Sequence, residues 1–337
     1  MRILVLGGTR FVGRHLVEAA LARGHEVTVL HRGRHGADLF AGLDRRLGDR
    51  DAAGGLAALA VGDWDVTLDT CAYSGNQVAA LAGALGGRGG RYVLVSTVSV
   101  YDRPPLGYRE GAPLLPLGGG VAAREHLYGS RKAAAEGVAR ARFGADVLIV
   151  RPTYVVGPHD YSGRFPYWVG RLARGGGVLA PGPAAAPIQL VDGRDLASFV
   201  LRCVERGVGG TFHVAGPATP LSWGALLESV AATVAPAGTS LHWVDRGFLA
   251  SRGLGSRDLP LWSPDDAERR WLTADPALAF EAGLELRPLG ETIADTAAWL
   301  RGGRAASSVG LESGHERALL ASWAAERSGP RGGGSLA

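Results

Sequence analysis

A tyrosine and a lysine stand four residues apart in the stretch EHLYGSRKAAAEG, as Tyr128 and Lys132. On a helix that spacing puts both side chains on one face. An ammonium beside a phenol stabilises the tyrosinate and lowers its pKa, which makes the phenol a usable acid or base. The chain carries 36 lysines and arginines, and Lys132 is its only lysine. Arginine would also bring positive charge, but its wide planar guanidinium cannot replace a compact ammonium packed against a phenol. In a sequence that writes every other such cation as arginine, the one retained lysine points to chemistry. A hydroxyl lies upstream, where the apolar run RYVLVST ends on Ser96 and Thr97. A hydroxyl at that strand end can orient a substrate oxygen toward Tyr128.

A second cluster is GGTRFVG, residues 7–13, between the apolar run RILVL and a helical pattern. Such a turn lets backbone N–H groups and the helix dipole approach a pyrophosphate closely. Gly7, Thr9, Phe11, Val12 and Gly13 are its candidate contacts, with Arg10 at a position often held by glycine. The surrounding strand–turn–helix–strand unit has the roughly 30-residue length of a βαβ crossover. The strand EVTVLHR ends on His31 and Arg32, with Arg34 beyond and no carboxylate. A carboxylate there would bond the ribose hydroxyls of NAD, whereas arginine accommodates the 2′-phosphate of NADP. The charge pattern therefore leans to NADP over NAD, with Arg10 in reach of the same phosphate. GDRD (48–51) closes a third strand, where Asp49 could accept from the adenine amino group or serve as a turn residue. Arg50, and Cys71 with Ala72 after the next strand, complete this set.

These residues need elements to hold them. Runs at 2–6, 26–32, 65–71, 91–97 and 146–152 read as buried strands, alternating with helical stretches at 11–24, near 76–86 and at 128–142. The alternation predicts an α/β fold, a Rossmann-type doubly wound parallel sheet with a smaller C-terminal substrate-binding domain. Past Arg151 the Gly-, Pro- and aromatic-rich stretches read as loops and short elements around a pocket, while 187–207 and 210–217 return to strand–helix–strand character. Helices are expected at 222–235 and 290–301. The expected division is 1–152 for dinucleotide binding, 153–302 mainly for substrate with segments returning to the sheet, and 303–337 for a C-terminal helix and disordered tail.

Composition narrows the partners. The net charge is +4 and the arginines are scattered, which does not favour nucleic acid. Cys71 and Cys203 are the only cysteines, too few for a metal cluster or a disulfide framework, and no metal site is expected. Isolated thiols suit a reducing compartment. No apolar run approaches the roughly 18 residues of a spanning helix. A cytoplasmic protein with no membrane association is expected.

With a glycine turn, a hydroxyl at a strand end and Tyr-x-x-x-Lys in this order, the chain resembles the extended short-chain dehydrogenase/reductases, and within them the NAD-dependent epimerase/dehydratase family. The resemblance implies Thr97, Tyr128 and Lys132 as a catalytic triad. Tyr128 would take a hydroxyl proton while nicotinamide takes the hydride, and Lys132 would also hold the nicotinamide ribose. Pro152 to Val155 would flank the nicotinamide. The acidic pair that often follows the catalytic threonine in nucleotide-sugar dehydratases is replaced by Val98 and Ser99. Tyr154 stands where nucleotide-sugar epimerases often carry asparagine. A smaller sugar-like or nucleoside-like polyol fits at least as well as a diphosphate sugar, with Tyr73, Ser99, Tyr154, His159, Arg164 and Tyr167 as substrate candidates. Tyr128 acting again, Ser99, His126 and His159 are candidates for a second acid or base. A homodimer is compatible with the family. Two alternatives stand beside a redox-neutral epimerase or dehydratase. One is an NADPH-dependent carbonyl reductase. The other follows from the GGTRF form of the turn, which also resembles a branch that includes chloroplast stem-loop RNA-binding proteins, and makes the fold a scaffold for RNA.

Overall fold

The computed structural model describes residues 1–36, 38–116, 124–303 and 309–328. The chain begins with β1 (Arg2–Leu6), α1 (Phe11–Ala22), β2 (Glu26–His31), β3 (Asp44–Leu47), β4 (Val66–Asp69), α2 (Gly75–Leu85), β5 (Arg91–Val95), α3 (Arg124–Phe143), β6 (Leu148–Pro152) and β7 (Tyr154–Val156). It continues through α4 (Arg164–Ala173), β8 (Gly177–Pro181), β9 (Pro187–Ile188), β10 (Leu190–Asp192), α5 (Gly193–Glu205), β11 (Gly210–Val214) and β12 (Leu221–Ser222). The last elements are α6 (Trp223–Val234), β13 (Ser240–Val244), α7 (Arg246–Ser251), α8 (Ala277–Glu281), α9 (Leu289–Arg301) and α10 (Ser313–Ser328).

Two units share these elements. The first comprises Met1–Tyr161, Ile188–Leu221 and Ala267–Pro288. The second comprises Ser162–Pro187, Ser222–Asp266 and Leu289–Ala337. The chain thus passes between units several times, and α10 groups with the second unit rather than forming a region of its own. The expected tail beyond Ser328 lies outside the described residues.

Among the described residues the first unit carries a seven-stranded sheet in the order β11-β6-β5-β4-β1-β2-β3. All its pairings are parallel. Alternation along the strands sends side chains to opposite faces. Ile3 and Val5 of β1, with Val27 and Val29 of β2, face one way and pack with Leu16, Val17 and Ala20 of α1 and with Leu196 and Val200 of α5. Leu4 and Leu6, with Leu30, face the other way and pack with Val78 and Leu81 of α2 and Ala135 and Ala139 of α3. Helices covering both faces explain why these strands read as continuous apolar runs. The winding direction reverses at β1, whose neighbours are β2 and β4. The crevice beyond the strand ends at such a reversal is where open α/β sheets bind ligands.

The stretch 154–168, expected to hold loops and short elements, contains β7 and the start of α4. β7 pairs in parallel with β10 in a small sheet of its own. α4 buries Phe165, Trp168, Val169 and Leu172 within the second unit, a spacing of three and four residues along one helical face.

Candidate active site

A cleft of about 260 Å³ opens at the ends of β1, β2 and β4 in the first unit. Its lining brings together Gly7, Thr9, Arg10, Phe11, Val12, Gly13, Arg32, Asp49, Arg50, Cys71 and Tyr73 from the expected site. Gly7 has φ +84, a left-handed backbone that disfavours side chains. A Cβ on Gly13 would lie 2.2 Å from the Gly7 carbonyl oxygen, so α1 can start this close to the turn only with glycine there. Arg10 is the N-cap residue of α1 but its side chain does not cap, and the first turn holds no acidic residue. The leading N–H groups of α1 are therefore not shielded by a carboxylate, and the cradle fits the pyrophosphate of a dinucleotide.

Arg10 is engaged by an aromatic ring. Its guanidinium lies over the Tyr161 ring, 3.5 Å from the centroid. At the end of β2, His31 is buried, and burial followed by the charge of Arg45 lowers its pKa. Its Nδ1 lies 3.1 Å from the Gly33 N–H, an acceptor position that leaves the proton on Nε2. Among the described residues Nε2 has no partner. Arg32 and Arg34 approach Asp49 to 3.9 and 3.6 Å, so the carboxylate sits between two cations. Arg50 lines the cleft, yet its guanidinium is engaged elsewhere. It donates to both oxygens of Asp69, at 2.7 and 2.9 Å, and to the Gln77 carbonyl at 2.9 Å. Asp69 also accepts from the Tyr92 hydroxyl and the Cys71 N–H. Burial works against the charged carboxylate, but these donors outweigh it and keep Asp69 below its ordinary value. Burial pushes the Cys71 thiol up to about 11, which leaves it protonated and unreactive near neutrality.

Lys132 is 2% exposed. Its ammonium donates to the carbonyls of Ala72 at 2.8 Å and Val95 at 2.6 Å, the first just past β4 and the second at the end of β5. Burial lowers its pKa from the ordinary 10.5 to about 8, against the opposing pull of Asp69 and Glu136. The Tyr73 ring lies 5.9 Å from the ammonium and 6.4 Å from the Tyr128 ring. Tyr128 is 40% exposed. Burial, followed by the neighbouring Tyr161 and Tyr128, pushes the Tyr73 phenol up to about 12. Thr97 follows β5 and caps a short 3-10 turn: its Oγ1 accepts from the Ser99 N–H at 3.1 Å and lies 3.2 Å from the Ser99 hydroxyl. Gly129, one residue past Tyr128, brings α3 against this turn. A Cβ at Gly129 would fall 2.0 Å from the Ser99 carbonyl oxygen.

The remaining expected residues are placed as follows. Pro152 and Val155 sit in β6 and β7, outside the cleft lining. Tyr154 pairs with Leu190 in the β7–β10 sheet. His159 lies 3.4 Å from Arg14 of α1 and packs beside His15, outside the cleft lining. Arg164 and Tyr167 belong to α4 of the second unit. The Tyr167 hydroxyl accepts from the Leu311 N–H, and its ring fills the space a Gly310 side chain would need. The His126 side chain lies outside the described residues. Sequence reasoning missed Tyr161, Gly129 and the buried donor on His31. Only Gly129 left a sequence mark, a glycine inside the Tyr-x-x-x-Lys helix.

Residues 3–215 match the NAD dependent epimerase/dehydratase family. The chain belongs to that family. Of curated relatives, it is 25% identical over 231 residues to a chloroplast stem-loop binding protein of 41 kDa from Arabidopsis thaliana, 64% of this chain and 58% of that one. A stretch of 38 residues is 50% identical to a bifunctional pinoresinol-lariciresinol reductase from Forsythia intermedia, 11% of this chain and 12% of the reductase. The chain thus spans less than two thirds of either relative. Among solved structures it shares its fold with a nucleoside-diphosphate-sugar epimerase from Pseudomonas aeruginosa, at TM-score 0.69 and 20% identity, covering 90% of this chain and 98% of that one. It is similarly related to a UDP-glucose 4-epimerase from Thermus thermophilus solved in complex with NAD, at TM-score 0.63 and 21% identity, covering 90% and 99%. The family is described as one of NAD-dependent epimerases and dehydratases, and the solved structures share the Rossmann-like α/β fold. No helix among the described residues is long and apolar enough to cross a membrane.

Proposed function

We propose that this protein oxidises a secondary hydroxyl of a sugar-like or nucleoside-like small molecule, changes the adjacent carbon by epimerisation or loss of water, and then returns the hydride to the product. The observation that carries this reading is the chain's sole lysine, buried with its ammonium on two carbonyls one helical turn from Tyr128. A bound nicotinamide dinucleotide would supply the hydride acceptor and donor. Tyr128 removes the hydroxyl proton as the alcohol carbon becomes a carbonyl. Lys132 stabilises the resulting tyrosinate and has a third N–H for a ribose oxygen. Thr97 orients the substrate oxygen. A carbonyl acidifies the neighbouring C–H, so a base can remove that proton, and the carbon is reprotonated on the other face or expels a leaving group. Gly7, Thr9, Phe11, Val12 and Gly13 hold the pyrophosphate. The adenosine end carries Arg32 and Arg34, and β2 ends on His31 with no carboxylate there, which favours NADP in this reading.

A second reading, an NADPH-dependent carbonyl reductase, draws on the same arginines and on the short identity with a named reductase. Denaturing the purified protein and identifying the released nucleotide by mass spectrometry separates the two. Stoichiometric retained cofactor supports the redox-neutral enzyme and tells NAD from NADP. An empty protein that consumes NADPH with a carbonyl substrate supports the reductase. The named stem-loop binding relative keeps RNA as the other class of function. Salt-sensitive RNA binding together with failure to bind either dinucleotide would replace the enzymatic reading. With a turned-over substrate in hand, Tyr128→Phe is expected to lose at least about a hundred-fold in kcat, the scale of general acid–base catalysis. Full turnover by that variant would sink the assignment.

A further inference from the structure

Tyr161, absent from every sequence-derived assignment, closes the segment that follows β7. That segment leaves β7 through Gly157, with φ +116, and runs along the first turns of α1. His15 Nε2 contacts the Pro158 carbonyl oxygen at 3.0 Å. Arg14 lies 3.4 Å from His159, and the rings of His15 and His159 are 5.6 Å apart. Phe11, with φ +34, sets its ring between His15 at 6.1 Å and Tyr161 at 6.5 Å, edge-on to both. The segment is thus tied to α1 at two consecutive residues before it reaches Tyr161. Tyr161 is 56% exposed and lines the cleft beside the glycine turn, with the Arg10 guanidinium flat against its ring.

A guanidinium stacked on a ring uses its face and keeps its N–H donors at the edge. Those edge donors suit paired phosphate oxygens, and a side chain already held in place loses less freedom on binding. Arg10 is the N-cap residue of α1 and lines the same cleft as the glycine turn.

Resting on the dinucleotide reading above, we infer that Tyr161 and Arg10 form a clamp that retains the cofactor by its pyrophosphate, with Tyr161 as the residue that positions Arg10. With Arg10 held against Tyr161, the clamp is expected to be indifferent to the 2′-phosphate. It should act mainly on departure of the nucleotide, since positioning a donor prolongs the bound state more than it speeds encounter.

The test is stopped-flow and calorimetric binding of NAD and of NADP to the full chain and to Tyr161→Ala, Tyr161→Phe and Arg10→Ala, with thermal melting to confirm folding. Tyr161→Ala and Arg10→Ala are expected to weaken both dinucleotides by a similar factor of roughly ten, mostly through faster dissociation. Tyr161→Phe, which keeps the ring, should stay within about two-fold of the parent. Three results would overturn the clamp: parental affinity in Tyr161→Ala, loss for NADP alone in Arg10→Ala, or Tyr161→Phe as weak as Tyr161→Ala. If the parent chain binds neither dinucleotide, the functional reading falls and the clamp with it. Parental binding with an unaffected Tyr161→Ala removes the clamp alone.

Discussion

Lys132 illustrates how one residue couples stability to chemistry. Burial depresses its pKa from 10.5 to about 8, equivalent to about 3 kcal/mol against the charged form. The sign follows from linkage: between the folded and unfolded values the unfolded chain holds more protons, so raising pH favours the fold. Relative to a Lys132→Met variant, the parent should gain stability as pH rises from about 8 toward 10.5, and show its full penalty below 8. Urea unfolding of both proteins at pH 7.5 and pH 10 measures this, and an unchanged difference would mean the ammonium is not buried as described. The lysine was legible in the sequence because its rarity and its spacing from Tyr128 are both local facts. The stack of Arg10 on Tyr161 was not, because residues 10 and 161 meet only once β7 has been placed. For the same reason the ion pair of Arg50 with Asp69 on β4 was not legible, although Arg50 itself lines the cleft.

Elements carry the site by how closely they approach one another. α3 reaches the Thr97–Ser99 turn because residue 129 has no side chain, and any Cβ there would collide with the Ser99 carbonyl oxygen. Gly129→Ala should push the start of α3 away from that turn, costing about 1–3 kcal/mol as an overpacked contact does. Activity should fall more steeply than stability, because Tyr128 and Thr97 would lose their alignment. Melting temperature and kcat measured together test this, and a variant with parental values of both would refute the contact. Most strands of the sheet were legible because burial on both faces writes unbroken apolar runs. α4 was hidden by its glycine, proline and aromatics, although Phe165, Trp168, Val169 and Leu172 carry the helical period and a count at that spacing would have found it. β7 is three residues long, too short to announce itself by alternation.

At the scale of the whole molecule, the chain crosses between its two units several times, each unit being assembled from three separate stretches. The second unit depends on the last described helix. Glu316 of α10 accepts from Arg171 Nε at 2.5 Å and from the Leu179 N–H at 2.9 Å, with both charged side chains buried. Removing one partner of such a pair strands the other, so Glu316→Ala should cost about 3–5 kcal/mol in denaturant unfolding. A loss under about 1 kcal/mol would show that α10 is dispensable. Across all 337 residues there is one ε-amine, and it lies buried in the candidate catalytic centre. Any reagent, cross-linker or modifying enzyme that works on lysine side chains therefore finds a single target, reachable only when that centre opens. The rate at which an amine-directed probe marks residue 132 becomes a clock for that opening, read without any substrate, and a ligand that seals the site should slow it.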